Sequence, residues 1–421
     1  MKDLLYKIAI SGSVKMASAI IAFFLTVVVA RTLGADEAGL FLLVVSLLAS
    51  LSVFFRLGLD GVILKVVGAE GLSDKAQAQL RTGLCWIMLV SLPMALGISL
   101  SAEWWAVSLF DKPAFSPVLR WAVWALPCMS MFMLLAMGFI GLHQVVLGTL
   151  FQNLGLATVF LLLLGAYHYW WPESLSAQLA AQLYMLAAVA VGLLAVTLWV
   201  INPQVSLFCR TSVKSPKLWA ASSNLWVANS MSLAVIWSGV LVGGAYLPTA
   251  ELAHLSAAQR TSNLTSFVLM VVNVVVAPRY ARLWAEDNQD QVRSLARWST
   301  RCMIVLVLPV IAVMMMLPSY IMSIFGEGFE QGAILLMIMS AGQFVNVATG
   351  SVAYLLQMSG HERDFRRVTL FAGPLAIIAA VAFTAQWGAV GAASATALGL
   401  SVQNLGALWM VKKRLGFWPI G

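Results

Sequence analysis

The sequence predicts an all-α integral membrane protein of about twelve transmembrane helices. Three observations predict it. Of the 421 residues 61% are hydrophobic and only 10% are charged, the mean hydropathy is +0.90, and apolar runs recur along the whole chain with short breaks between them. Soluble domains balance roughly 45–50% apolar against about 25% charged residues, so a water-soluble fold has nowhere to hide this much apolar surface. With about 20 apolar residues needed for each helical crossing, a dozen crossings consume well over half the chain and leave only short loops.

Taken in order, the apolar runs place spans at residues 8–30, 40–59, 83–100, 121–142, 145–166 and 177–200. A polar stretch over 202–217 separates these from spans at 219–246, 254–277, 303–324, 333–357, 368–385 and 389–411. Two six-helix bundles are therefore expected, residues 1–207 and 208–421. The first run is too long for a signal-peptide core, and Arg31 and Thr32 follow it where a cleavage site would have small residues, so it reads as a retained span.

A net charge of +8 would suggest nucleic acid for a soluble protein, but here the basic residues must first be placed against the bilayer. With the N-terminus in the cytoplasm, the 25 lysines and arginines divide unevenly. Only Arg31, Lys112 and Arg120 fall outside, Lys15, Arg56 and Arg260 fall within spans, and all the others face the cytoplasm. This bias predicts cytoplasmic termini and accounts for the charge without a nucleic-acid partner.

Catalytic and cofactor classes find little support. The longest outside loop covers residues 101–120, too short for a catalytic domain, and no GxxxxGK[ST], HExxH or GxSxG occurs. The protein is expected not to be an enzyme, and an ATP-driven pump would need a separate subunit. Cys85, Cys128, Cys209 and Cys302 form neither a disulfide framework nor a CxxC motif. His143, His168, His254 and His361 are scattered, so no metal and no cofactor is expected.

Laid against itself at a shift of 214 residues, the chain places 33–41 (LGADEAGLF) on 247–255 (LPTAELAHL). With one residue inserted, 109–115 (LFDKPAF) falls on 324–329 (IFGEGF). Each pair occupies the same topological place in its own half, which predicts an internal repeat. Six spans per repeat is an even number, so the two halves enter the membrane in the same orientation. That is the parallel-repeat arrangement of carriers that bind substrate between halves and alternate access.

Several segments resemble the polysaccharide biosynthesis, or O-antigen (Wzx-type) flippase, branch of the multidrug/oligosaccharidyl-lipid/polysaccharide (MOP) exporter superfamily. The resemblance rests on residues 30–39 (ARTLGADEAG), 56–59 (RLGL), 255–260 (LSAAQR), 277–280 (APRY), 324–326 (IFG) and 387–396 (WGAVGAASAT), in that order along essentially the whole chain. It implies a fold like that of the multidrug (MATE) exporters. It also implies translocation of an undecaprenyl-diphosphate-linked oligosaccharide, an O-antigen, capsule or exopolysaccharide unit, from the cytoplasmic to the outer leaflet of the bacterial inner membrane. The lipid-linked substrate and the bilayer are its implied partners. Coupling to protons or sodium, and association with glycan-assembly enzymes, stay open.

The intramembrane residues bear on that substrate. Lys15 has Ser11, Gly12, Ser18, Ala19 and Ala22 at helical spacing; a mid-helix cation costs about 2.5–3.5 kcal/mol, so it either faces a wet cavity or snorkels to the cytoplasmic headgroups. Arg56 stacks with Ser52 and Asp60 at i−4 and i+4, which fits either an ion pair or an anion site. Arg260 shares its face with Ser256 and Asn263 and has no acid within helical reach; it either snorkels outward or holds an anion. Uncharged stripes run through Gln343, Asn346, Gly350 and Gln357 and through Trp219, Ser223, Trp226, Ser230 and Trp237. They suit sugar hydroxyls and ring faces, or serve as helix glue and an interfacial tryptophan belt. Gly239 and Gly243 form a GxxxG expected to bring helices close.

Lys15, Arg56 and Arg260 are thus the candidate diphosphate-binding cations, with Asp60, Asn263, Trp226, Ser230, Gln343 and Asn346 as further cavity candidates. Two other functions compete. A cation-coupled multidrug antiporter of the same superfamily needs a buried acid, and Asp60 is the only carboxylate within a span. A membrane glycosyltransferase or polymerase needs outside acids on a substantial loop, which the chain lacks.

Overall fold

The computed structural model describes residues 2–171, 175–202 and 216–420. The side chains of 2–16, 69, 70, 216, 217, 220, 221, 224, 274, 275, 278, 281 and 285 lie outside that description. Every regular element among the described residues is helical. Eight helices there are long and apolar enough to cross a membrane, and a ninth crossing is the pair Phe115–Ala122 and Ala125–Gly141, bent by 41°.

Two of the eight hold two crossings each. Lys2–Phe55 passes through one non-helical residue, Gly34 (φ 75°, ψ 172°), and Glu362–Leu415 through Gly388 (φ 55°, ψ −136°). Straight, a 54-residue helix would run about 80 Å, far more than the roughly 30 Å hydrocarbon layer. Thr249–Ser262 and Ser266–Ala285, joined by a 3-10 turn at Asn263–Thr265, supply the last crossing. Counted this way the described residues hold about twelve crossings, six in each half of the chain.

The connection expected over 31–39 thus contracts to a single residue. Gly34 holds backbone angles that an L side chain rarely adopts, and the chain resumes helix at once. Other boundaries move for similarly local reasons. The crossing expected over 303–324 lies within Gln289–Met316, where Asn288 caps the start by accepting from the Gln291 amide at 3.2 Å. It ends before Pro318, which opens a separate short helix, Pro318–Ser323.

The chain forms two compact units, Met1–Leu25 with Asp36–Ser230, and Thr26–Ala35 with Met231–Gly421. The expected boundary at 207/208 lies outside the described residues. In the first unit Phe41 stacks on Phe160 at 5.3 Å, and Tyr184 stands edge-on to both. The Glu37 carboxylate accepts from the Ala177 amide at 2.6 Å. With Ser176 accepting from Leu179 N at 3.3 Å, it satisfies the open donors at the start of Ala177–Ile201, where negative charge is favoured.

In the second unit Val276, Tyr280, Val292, Leu356 and Val411 are among the buried residues of the core. A Cβ at Gly239 would overlap Ala392 and Thr396, so the glycine is where two helices approach closely. The second repeated motif has a matching role in each unit. Buried Phe110 and Phe115 pack edge-on at 5.1 Å in the first, and buried Phe325 and Phe329 stack at 5.9 Å in the second. Both turns use left-handed backbone, at Asp111 in one and at Gly326 and Gly328 in the other.

Candidate functional site

In the first unit the helix ending at Phe55 gives way to a turn through Leu57 (φ 53°) and Gly58 (φ 71°), after which Leu59–Glu70 begins. The turn places Arg56 back over Ser52 and forward over Asp60. Its Nε donates to Asp60 Oδ2 at 2.8 Å and its Nη1 to Ser52 Oγ at 2.8 Å. The two charged side chains are only 10% and 16% exposed. Of the two readings open for Arg56, the ion pair is the one built here. Asp60 Oδ1 is buried without a hydrogen-bond partner among the described residues.

Gly58 also admits a neighbouring helix. A Cβ there would overlap the Ser222 carbonyl and come within 2.5 Å of Trp226 N, so only glycine lets Pro216–Tyr246 lie against the turn. Trp226 Nε1 donates to the Phe54 carbonyl at 2.8 Å, an oxygen that also accepts from the Leu57 amide at 3.2 Å in the turn. From this anchor an aromatic row extends. Phe54 lies 4.9 Å from Trp226, Trp226 lies 6.0 Å from Trp219, and Trp219 lies 6.5 Å from Trp86. Ser230 Oγ is buried without a hydrogen-bond partner among the described residues. Lys15 sits in Lys2–Phe55, but its side chain lies outside the described residues.

In the second unit Arg260 is half-buried in the last turn of Thr249–Ser262. The helix tightens there because its hydroxyls turn back on its own carbonyls. Thr261 donates to Ala257 O at 2.8 Å, Ser262 to Gln259 O at 3.0 Å and Thr265 to Ser262 O at 2.7 Å. Asn263 opens the tight turn, three residues after Arg260 and hence on its face. Asn263 Oδ1 accepts from Gln343 Nε2 at 2.6 Å, and Gln343 Oε1 accepts from Ser266 at 2.8 Å and from Asn346 at 3.0 Å. Two helices are thereby tied by amides and a hydroxyl, one helical turn along the chain from Arg260. Such a cluster can meet anionic and hydroxyl oxygens alike.

The stripe expected to continue through Gly350 and Gln357 does not. Ala333–Ala348 stops before Gly350 (φ 77°), where a Cβ would overlap Thr300 Oγ1, and Val352–Met358 begins a new register. Gln343 and Asn346 join the cluster, while Gln357 is exposed. Ser266 was missing from the sequence reading although its spacing from Asn263, i+3, matches a helical face. Trp86 was missing because it comes from a different span, and nothing local marks the pairing.

The described residues contain no group of three or more His, Cys, Asp or Glu able to hold a metal. His254 packs on Phe329 at 4.9 Å.

Comparison with known proteins gives this arrangement its context. Residues 4–284 match the family model described as polysaccharide biosynthesis protein. The chain belongs to that family. A second model, MatE, matches residues 226–382, so both halves point to the MOP superfamily. No curated protein matches the chain.

Among solved structures, a MATE in complex with MaL6 superposes with a TM-score of 0.73 at 13% identity, over 97% of this chain and 96% of that one. The lipid II flippase MurJ in an inward closed conformation gives 0.74 at 12% identity, over 96% and 87%. A MOP superfamily transporter from Pyrococcus furiosus gives 0.67 at 14% identity, over 99% and 96%. The fold is therefore that of the MATE and MurJ transporters. The family member described here is a multi-pass membrane transporter of the MOP superfamily.

Proposed function

We propose that the protein is a flippase that moves an undecaprenyl-diphosphate-linked oligosaccharide, an O-antigen, capsule or exopolysaccharide unit, from the cytoplasmic to the outer leaflet of a bacterial inner membrane. Both termini face the cytoplasm, and bundles 1–207 and 208–421 alternate access by rocking. Arg260, with Lys15, holds the diphosphate, the cluster of Asn263, Gln343 and Asn346 receives its oxygens, and the row through Trp226 offers ring faces to sugars. One observation supports the reading: Asp60, in the first turn of Leu59–Glu70, is tied to Arg56 at 2.8 Å, while Arg260 precedes Asn263 of the amide cluster by three residues, one helical turn. A diphosphate needs cations, whereas cation exchange needs a spare acid.

The match of residues 226–382 to the MatE model favours a second reading, a cation-coupled multidrug antiporter. One pair of assays separates the two. In cells lacking their own flippase, the wild-type chain restores surface glycan, normalised to inserted protein, and confers no drug resistance on a pump-deficient host. Drug resistance abolished by Asp60→Asn, with no glycan restored, would establish the antiporter instead.

A further inference from the structure

We propose that the N-terminal turns of Gln289–Met316, with the end of Ser266–Ala285, form a binding site for the headgroup of an anionic phospholipid. Arg293, Arg297 and Arg301 repeat every four residues and so form one stripe on that helix. The stripe lines a groove of about 540 Å³, and Arg279 and Arg282 line an adjoining one of about 590 Å³ that shares Ser294 and Trp298 with it. Val292, Ala296 and Met303 are buried on the opposite face, which fixes the stripe outward.

The grooves carry an excess of positive charge, five arginines against Glu286 and Asp290. Glu286 engages Arg282 at 2.8 Å, and Asp290 is the other acid facing the stripe. Arg279, Arg293 and Arg301 make no ion pair among the described residues. Arg297 gives its Nε to the Trp418 carbonyl at 3.4 Å, which leaves its terminal nitrogens for a ligand.

Position along the helix identifies the anion as a lipid. No charged residue follows Arg301 before the helix ends at Met316. The arginine stripe continues four residues on into Val305, 67% exposed, and a helical turn later, three residues on, into Leu308, 52% exposed. The face that offers guanidiniums is therefore the face that meets acyl chains, so a phosphate and its two chains contact one continuous strip. The stripe rises about 12 Å, enough to traverse a headgroup layer of about 5–8 Å. Trp298, 62% exposed beside it, is the residue type enriched at that depth. The site is independent of the glycan and lies apart from the amide cluster.

The test uses the purified full chain in neutral detergent, following its unfolding midpoint against three probes. Dioctanoyl phosphatidylglycerol should raise the midpoint saturably, whereas dioctanoyl phosphatidylcholine and pyrophosphate at equal concentration should not. Each Arg→Gln change in the stripe should weaken the phosphatidylglycerol effect roughly fivefold, and the triple change on the order of a hundredfold. Triple replacement by Lys should retain most of it. Because Arg293 and Arg301 are exposed, the double Gln variant at those two positions should unfold at the wild-type midpoint without lipid; if the triple variant does not, because Arg297 loses its bond to Trp418, the double variant supplies the comparison. Unchanged affinity in the Gln variants, equal stabilisation by phosphatidylcholine, or equal stabilisation by pyrophosphate would each overturn the proposal.

Discussion

Arg56 and Arg260 are both cations in membrane helices, and their surroundings predict different responses to removal. Arg56 is held by Asp60 and Ser52. Arg56→Ala strands a buried carboxylate and should destabilise the protein by about 3–5 kcal/mol, whereas Arg56→Ala with Asp60→Ala should recover most of that. Unfolding midpoints in detergent compare the two, and a double variant no more stable than the single would mean that Arg56 contributes through something other than the pair. Arg260→Ala should instead abolish surface glycan while inserted protein stays at wild-type level, with Arg260→Lys milder because charge survives and only the planar fork is lost. Full export by a combined Lys15→Ala and Arg260→Ala variant would remove the cationic mechanism. Sequence spacing offered the Arg56–Asp60 contact as one of two readings, since i,i+4 is a local relation, but could not choose between it and an anion site. The bond from Gln343 to Asn263 was invisible to it, because it joins residues 80 positions apart and no local pattern encodes which helix faces which.

Helix breaks were the least legible elements, because hydropathy reports where a chain is apolar and not where its backbone turns. Gly34 and Gly58 both have positive φ, but only Gly58 is also crowded. Gly34→Ala therefore meets backbone strain alone, about 1–3 kcal/mol, while Gly58→Ala adds overlap with the helix bearing Ser222 and Trp226. The Gly58 variant should show the larger fall in unfolding midpoint; equal falls would mean that the neighbouring helix gives way freely. The long helix Glu362–Leu415 closes on itself through Asp364, which binds Arg414 by two hydrogen bonds, at 2.6 and 3.1 Å, and Arg367 at 3.1 Å. The Arg414 bond holds the Asp364 carboxyl below its ordinary value. A depressed carboxylate stabilises the fold above its unfolded pKa, near 3.9, and that contribution fades as pH falls through the folded value. Acidification below about pH 4 should thus lower the midpoint of the wild type more than that of Asp364→Asn.

At the scale of the molecule, the repeat was legible because both halves break after their first span, at Gly34 and at Leu247–Pro248 between Pro216–Tyr246 and Thr249–Ser262, and both keep a pair of phenylalanines, and a repeated sequence needs no knowledge of packing to be seen. Orientation is the remaining question, and side-chain contacts within each unit bear on it. Arg414 reaches Asp364 across a helix that has passed Gly388, so the chain crosses and returns. The cations Arg363, Arg366 and Arg367 therefore share a membrane face with Lys412, Lys413 and Arg414. Glu37 likewise meets the start of Ala177–Ile201, joining two connections that the charge bias assigns to the outside. Since lysine and arginine flanking the spans resist translocation, the richly basic face should be cytoplasmic. In a chain with its four cysteines replaced by serine, single cysteines at the exposed positions Ala114 and Lys413 test this. An impermeant maleimide applied to intact cells should label position 114 and spare 413, and permeabilised cells should label both. Labelling of 413 with protection of 114 would invert the protein in the membrane, and with it the direction in which the lipid-linked glycan is proposed to move.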